Sequence, residues 1–273
     1  MNVNNENNLP INHNLKLVYT LSFFIVILMT VASIAGIMFS STIYPTDELL
    51  STFISNDVVN ILIGVPIMLG SIFLAMRGKL IGLLFWPGAL FYVLYNYMIY
   101  VLSMPLNWAF FLHLILVTLS MYTLTILVAT IDGKKIQQQL AGVLHERIAG
   151  GILVGMGILF LIQVIGVMIE SLINQTPMVV TEFATHVSDF LISPALIIGG
   201  ILLFRHKEFG YVSGLGLLFQ ASMLFIGLII FMIVQPFLTS EPFLLLDVLV
   251  VFIMGLICFI PLALFVRGVR NSK

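Results

Sequence analysis

Apolar residues in this chain fall into long unbroken stretches separated by short polar turns. Eight are long enough to matter: Leu17–Ser40, Val58–Met76, Leu80–Leu102, Trp108–Thr130, Ile148–Ile173, Thr185–Phe204, Tyr211–Gln235 and Phe243–Val266. About twenty apolar residues coiled as a helix match the roughly 30 Å hydrocarbon core of a bilayer. Backbone polar groups in lipid need internal partners, so each stretch must be helical. The strict alternation of a membrane barrel is absent. The pattern predicts an all-α polytopic transmembrane helix bundle with eight spans.

A cleaved signal peptide is the rival reading of the first stretch, because Ala32-Ser33-Ile34-Ala35 loosely resembles a small-residue cleavage site. The apolar run continues through Ile37, Met38 and Phe39, which favours a retained helix.

Composition agrees with the pattern. Sixty per cent of the 273 residues are hydrophobic and 8% are charged, against roughly 25% charged in an ordinary soluble domain. A net charge of −1 supplies no electrostatic footprint for nucleic acid. Cys258 is alone, which excludes a disulfide scaffold.

Charge placement gives the orientation. Lys16, Arg77, Lys79, Lys134, Lys135, Arg147, Arg205, Lys207, Arg267, Arg270 and Lys273 all fall on one side of the eight-span threading. The opposite loops and adjoining helix ends hold Asp47, Glu48, Asp57, Glu170, Glu182, Asp189, Glu241 and Asp247. Basic loops stay in the cytoplasm, so both termini are expected there, in a cell (inner or plasma) membrane.

Shifted by 128 positions, the chain aligns with itself. Pro66 meets Pro194, Arg77 meets Arg205, Lys79 meets Lys207, Gly82 meets Gly210, Gly88 meets Gly216 and Phe91 meets Phe219. With a small further shift His113 meets Asp247. The expected organisation is a polar N-terminus (1–16), a four-helix repeat (17–130), a linker (131–147), a second four-helix repeat (148–266) and a short tail (267–273). Four spans restore the starting direction, so the repeats are parallel. The bland alternative is that two apolar hairpins align by chance.

Small residues four apart are expected to bring helices close, at Ala32 and Gly36, Gly151 and Gly155, Ala195 and Gly199, and Gly210 and Gly214. Pro87, Pro194 and Pro261 are expected to kink their spans or free a carbonyl. In the linker, Ile136, Leu140, Val143 and Leu144 fall at helical spacing beside Lys134 and Lys135, which predicts a short amphipathic helix on the membrane face.

Ionisable and amide side chains at membrane depth are the candidates for function. His113, Asp189 and Asp247 lie in the first turns of spans that start at the outer face. Asp247 is about 6 Å below its helix start at 1.5 Å per residue. His186, one turn before Asp189, is a candidate imidazole–carboxylate partner. Tyr92, Asn96 and Tyr100 share a stripe with Tyr95 adjacent, and Gln163 and Glu170, seven apart, face one way. Together they predict a polar pocket in the outer half above an apolar floor. Each has a plainer explanation. Asp57 reads better as a helix cap, and Tyr44, Tyr97, Tyr100 and Trp108 read as an aromatic belt. His113 could simply bond a neighbouring helix. No spacing of ligands supports a metal site, and no haem-attachment motif is present.

Asp57 through Pro66, Arg77-Gly78-Lys79 and the run Trp86 to Tyr97 resemble an uncharacterised family of prokaryotic multi-pass membrane proteins. The pattern Asp189, Pro194, Gly199-Gly200 and Arg205 is similar to its second half. The resemblance covers roughly residues 45–235 and implies an eight-helix bundle, with no activity or catalytic residues attached.

The favoured functional expectation is a permease-like or solute-binding protein, a non-enzyme taking a small polar solute or cation. One alternative is a membrane oxidoreductase or other enzyme using quinone, haem or lipid through His113 and His186. A second is an accessory protein whose polar residues lock helices. The bilayer is the expected surrounding, and a homo-oligomer is an open expectation.

Overall fold

The computed structural model describes residues 9–143 and 145–271. Leu144 of the predicted linker helix and the chain ends 1–8 and 272–273 lie outside the described residues. The protein is a multi-pass membrane protein built as an all-α bundle, 85% helical, with eight helices long and apolar enough to span a membrane. The first span is α1 (Lys16–Met38), followed by the single turn α2 (Ser40–Ile43). The second is α3 (Asp47–Val59) and α4 (Val65–Met76), joined without a break by a π turn over Asn60–Gly64. Then come α5 (Leu80–Ser103), α6 (Trp108–Thr130), the linker helix α7 (Gly133–Leu140), α8 (Glu146–Asn174), α9 (Val180–Phe204), α10 (Glu208–Leu238) and α11 (Leu245–Asn271).

The second span starts eleven residues earlier than the hydropathy predicts, at Asp47 rather than Val58. Thr46 caps it, accepting from the Leu49 N–H. Asp57 is therefore not a cap. It lies inside the helix, 1% exposed. The π turn has a covalent cause in Pro66, which has no N–H to return to Leu62 and whose ring crowds the preceding turn. The Val65 N–H instead reaches the Asn60 carbonyl.

Helices α5 and α10 form the axis. α5 lies against α4, α6, α9 and α10, and α10 lies against α3, α5, α9 and α11. They meet at Gly88 and Gly216, where a Cβ on Gly88 would land on the Gly216 carbonyl. Phe85 stacks on Phe219 beside that crossing, centroids 4.1 Å apart.

The α4–α5 and α9–α10 turns are built alike. Gly78 and His206 both take positive φ, 68° and 54°. The Lys79 N–H bonds the Leu74 carbonyl at 3.0 Å, and the Lys207 N–H bonds the Leu202 carbonyl at 2.8 Å. Gly82 and Gly210 each press on the backbone of the helix before the turn.

The small-residue expectation holds in part. Gly36, Gly199, Gly210 and Gly214 have close neighbours where a Cβ would sit, whereas Gly151 and Gly155 face open space. The residues that bring α8 against α9 are Gly150 and Gly157, meeting Gly200 and Ser193. Depth is readable from spacing, but the covered face depends on which helix arrives.

The amphipathic linker forms as α7, capped by Asp132, whose carboxylate accepts from the Lys135 N–H at 3.1 Å. That bond, with the adjoining Lys135 ammonium, holds the Asp132 carboxyl below its usual range. Ile136 and Leu140 are buried, while Val143 is exposed. The Gln137 amide donates to the His206 carbonyl at 2.6 Å, fastening the linker to the α9–α10 turn.

At the opposite end, the Glu48 side chain joins α3 to α9. Glu48 in the first turn of α3 accepts from the Thr181 N–H at 2.9 Å and the Thr181 hydroxyl at 2.8 Å, capping α9 from another helix. Glu48→Ala should lower stability by about 1–2 kcal/mol, the usual worth of a cap. Glu48→Gln, which keeps one acceptor, should lose less. Thermal unfolding in detergent micelles reads both, and an unchanged midpoint for Glu48→Ala would show the tie to be idle.

Candidate functional site

Between α3, α5, α8, α9, α10 and α11 lies a cavity of about 410 Å³, within the roughly 300–1,000 Å³ of small-molecule sites. It occupies the middle and the acidic end of the bundle. Its walls are largely apolar, with polar groups on five helices. Asn56 comes from α3; Tyr92, Tyr95 and Asn96 from α5; Gln163 from α8; Asp189 from α9; and Gln220 from α10 adds a further amide. Thr52 and Thr185 continue the polar lining toward the acidic end. Below, Met156, Ala221 and Cys258 close together, with Ile152, Phe160 and Phe225 against them. This is an apolar floor of the kind the sequence predicts.

Asp189 is the only carboxylate on the wall among the described residues. The Tyr95 hydroxyl donates to its Oδ1 at 2.9 Å. One carboxylate oxygen is thus engaged by the protein, and the hydrogen-bond geometry leaves Oδ2 for another donor. Asn96 turns its amide to the Tyr92 carbonyl of its own helix at 3.1 Å. Gln220 is 1% exposed and its Nε2 has no partner among the described residues. A buried amide donor without an acceptor costs free energy, so its place on a cavity wall is a polar vacancy a ligand acceptor can fill.

Of the nine residues singled out from sequence, Tyr92, Tyr95, Asn96, Gln163 and Asp189 line this cavity. The other four do not. Asp247 stands exposed in the first turn of α11, where no helix covers it. Glu170 is exposed on α8, above Gln163 on the same face. His186 faces Glu182, Nε2 to Oε1 3.7 Å, rather than pairing with Asp189. His113 is buried on α6 with its ring 4.7 Å from that of Tyr100. The two histidines therefore belong to different surroundings, one packed on α5 and one paired within α9, and do not face each other as haem or quinone ligands would. No group of three metal-binding side chains occurs among the described residues.

Gln220 was the residue that sequence reasoning missed. The rule that picks out Asn96 and Gln163, an amide at mid-span, applies to it equally, and it stands 128 positions after Tyr92.

A second polar cluster lies behind the α3–α5 wall. Asp57 accepts from the Tyr44 hydroxyl and, at 2.8 Å, from the Tyr100 hydroxyl. Asn60 donates to Tyr100 at 3.4 Å, and the Tyr97 hydroxyl approaches Ser33 and the Met29 carbonyl. Gly36 leaves room for the carboxylate against α1. Tyr44, Tyr97 and Tyr100 are therefore interior residues, not an aromatic belt. Trp108 is 53% exposed.

No known protein family, curated protein or solved structure matches the chain.

Proposed function

We propose that this protein is a permease-like, solute-binding membrane protein of the cell membrane, with both termini in the cytoplasm and its site in the cavity around Asp189. The observation that carries the reading is a lone carboxylate, oriented by Tyr95 at 2.9 Å, on the wall of a cavity at membrane depth. An ionisable group there is expensive and is retained where it meets a solute or ion. A carboxylate with one free oxygen favours a solute bearing a cation or strong donor. The unpartnered Gln220 amide favours an acceptor on the same solute.

The orientation follows from the basic loops. On this view the cavity belongs to the outer half and is closed from the cytoplasm by the Met156–Cys258 floor. The matched turns and the Gly88–Gly216 crossing support a parallel duplication of four helices, with the cavity drawing on both halves. Sites between repeats are common in transporters.

Binding without transport is the second reading, favoured by the apolar floor. One experiment separates them. Proteoliposomes carrying the wild-type protein should take up ethidium several-fold faster than empty liposomes, and Asp189→Asn should return uptake to the empty level. Ethidium binding without uptake supports the second reading. Neither binding nor uptake beyond that of Asp189→Asn would remove Asp189 from the function.

A further inference from the structure

The cavity has a side opening, and its depth identifies what it faces. Three residues line the cavity and are also exposed: Gln163 on α8, Leu228 on α10 and Met254 on α11. Leu228 is 44% exposed and Met254 48%. A wall residue with this much exposure sits at a mouth. Measured from the acidic-end tips of their helices (Asn174, Leu238 and Leu245), the three lie eleven, ten and nine residues in. At 1.5 Å per residue these are depths of about 16, 15 and 14 Å. Three separate helices thus place the mouth near the middle of a roughly 30 Å hydrocarbon core. At that depth in a bilayer a side opening meets lipid rather than water.

The gap has a packing cause. α8 and α11 meet at Met156 and Cys258, sulfur to sulfur 3.0 Å. Above that level both turn apolar side chains outward. Ile162, Ile165 and Ile169 on α8 are exposed, as are Leu246, Leu249 and Ile253 on α11. Two polar residues stand on the exposed edge of α8. Gln163 is at the mouth, and Glu170 is seven residues, about 10 Å, nearer the acidic end on the same face. A carboxylate and an amide on a lipid-facing edge are costly with nothing to meet. As a track from the headgroup region down to Asp189, both have a purpose.

Resting on the solute-binding reading above, we infer that the ligand is a single-chain amphiphile with an ammonium head, such as a long-chain amine, taken sideways from the bilayer between α8 and α11. The head descends past Glu170 and Gln163 to the free oxygen of Asp189. The tail lies along Leu224, Leu228 and Phe231 and trails through the mouth. Lipid is as apolar as these side chains, so moving the tail into the cavity gains little. Selection therefore falls on the head, through the Asp189 carboxylate that Tyr95 orients.

The test uses the full-length protein in phosphatidylcholine nanodiscs with two photoreactive probes, a diazirine-bearing dodecylamine and the matching dodecanol. Mass spectrometry locates the adducts. The amine should label Leu224, Leu228, Phe231 or Met254 at least tenfold more than the alcohol. Asp189→Asn should bring the amine down to the alcohol's level. Glu170 is exposed and carries no packing, so Glu170→Gln keeps the fold. That variant should slow amine labelling several-fold while leaving the final extent unchanged. Equal labelling by amine and alcohol, or adducts confined to outward residues such as Ile162, would overturn the inference as mere partitioning. Ethidium uptake with no amine adducts in the cavity would overturn sideways access and leave the solute-binding reading standing. Adducts without ethidium uptake would support the amphiphile and count against transport.

Discussion

Gly88→Leu should prevent the bundle from forming, and Gly88→Ala should leave it folded but weakened. The reason is local and steric. At Gly88 the backbones of α5 and α10 touch, and an added Cβ would overlap the Gly216 carbonyl, with the Gly216 carbonyl carbon 2.8 Å away. The neighbour is backbone, so it cannot swing aside like a long side chain. The two axial helices must separate, and every helix packed on them moves too. Overfilled interiors cost about 1–3 kcal/mol for modest additions, which sets the scale for alanine. A leucine exceeds that range, because the whole isobutyl group must fit between two main chains. The cavity shares this framework, since Tyr92, Tyr95 and Asn96 project from α5 and Gln220 and Leu224 from α10. Size-exclusion profiles and thermal unfolding in detergent read the result. Gly155→Ala is the control. Nothing lies within 4 Å of its added Cβ, and it should match or slightly exceed wild type, as alanine is the better helix former by about 1 kcal/mol. A wild-type midpoint for Gly88→Leu would refute the crossing.

Gly88 and Gly155 look alike in the sequence, and the contrast shows where legibility stops. The spans could be read because transfer into lipid depends on summed hydropathy, which a sequence window measures. The start of the second span could not. Ser51, Thr52, Ser55, Asn56, Asp57 and Asn60 dilute its apolar character, yet most turn toward other helices or the cavity rather than lipid. Hydropathy treats a polar side chain as though lipid surrounded it, and so it begins the span at Val58. The site obeys the same division. Depth follows from counting residues along a helix, and the picked polar residues do lie in the spans. Rotation about the helix axis follows from which neighbour covers which face. Tyr95 and Asp189 meet because α5 lies against α9. His113 also lies within its span but turns toward the Tyr97 and Tyr100 rings. Asp247 fails for another reason: the first turns of α11 stand clear of the bundle.

Asp57→Ala should be the most destabilising polar substitution in the chain, with losses on the order of 3–5 kcal/mol. The carboxylate is 1% exposed and accepts hydrogen bonds from the Tyr44 and Tyr100 hydroxyls, both buried. Removing it strands two donors where neither water nor lipid supplies an acceptor, each at about 1–3 kcal/mol, and leaves a hole besides. Asp57→Asn keeps a carbonyl for one tyrosine and turns an amide toward the other, so it should fall between alanine and wild type. Gly36→Ala should do comparable damage from the opposite side, because its methyl would overlap the Asp57 carboxylate and the Tyr44 hydroxyl. The decisive variant removes the whole arrangement. Replacing donors and acceptor together with apolar groups leaves nothing unpaired and is often close to neutral. Asp57→Leu combined with Tyr44→Phe and Tyr100→Phe should therefore be more stable than Asp57→Ala alone. Recovery of that kind in thermal unfolding would mark the cluster as a fastening of α1, α3 and α5. A triple variant as stable as wild type that has lost ethidium uptake would instead tie Asp57 to the cavity behind which it lies. Wild-type stability in Asp57→Ala would mean that the two tyrosines find other acceptors, and that this buried carboxylate holds nothing in place.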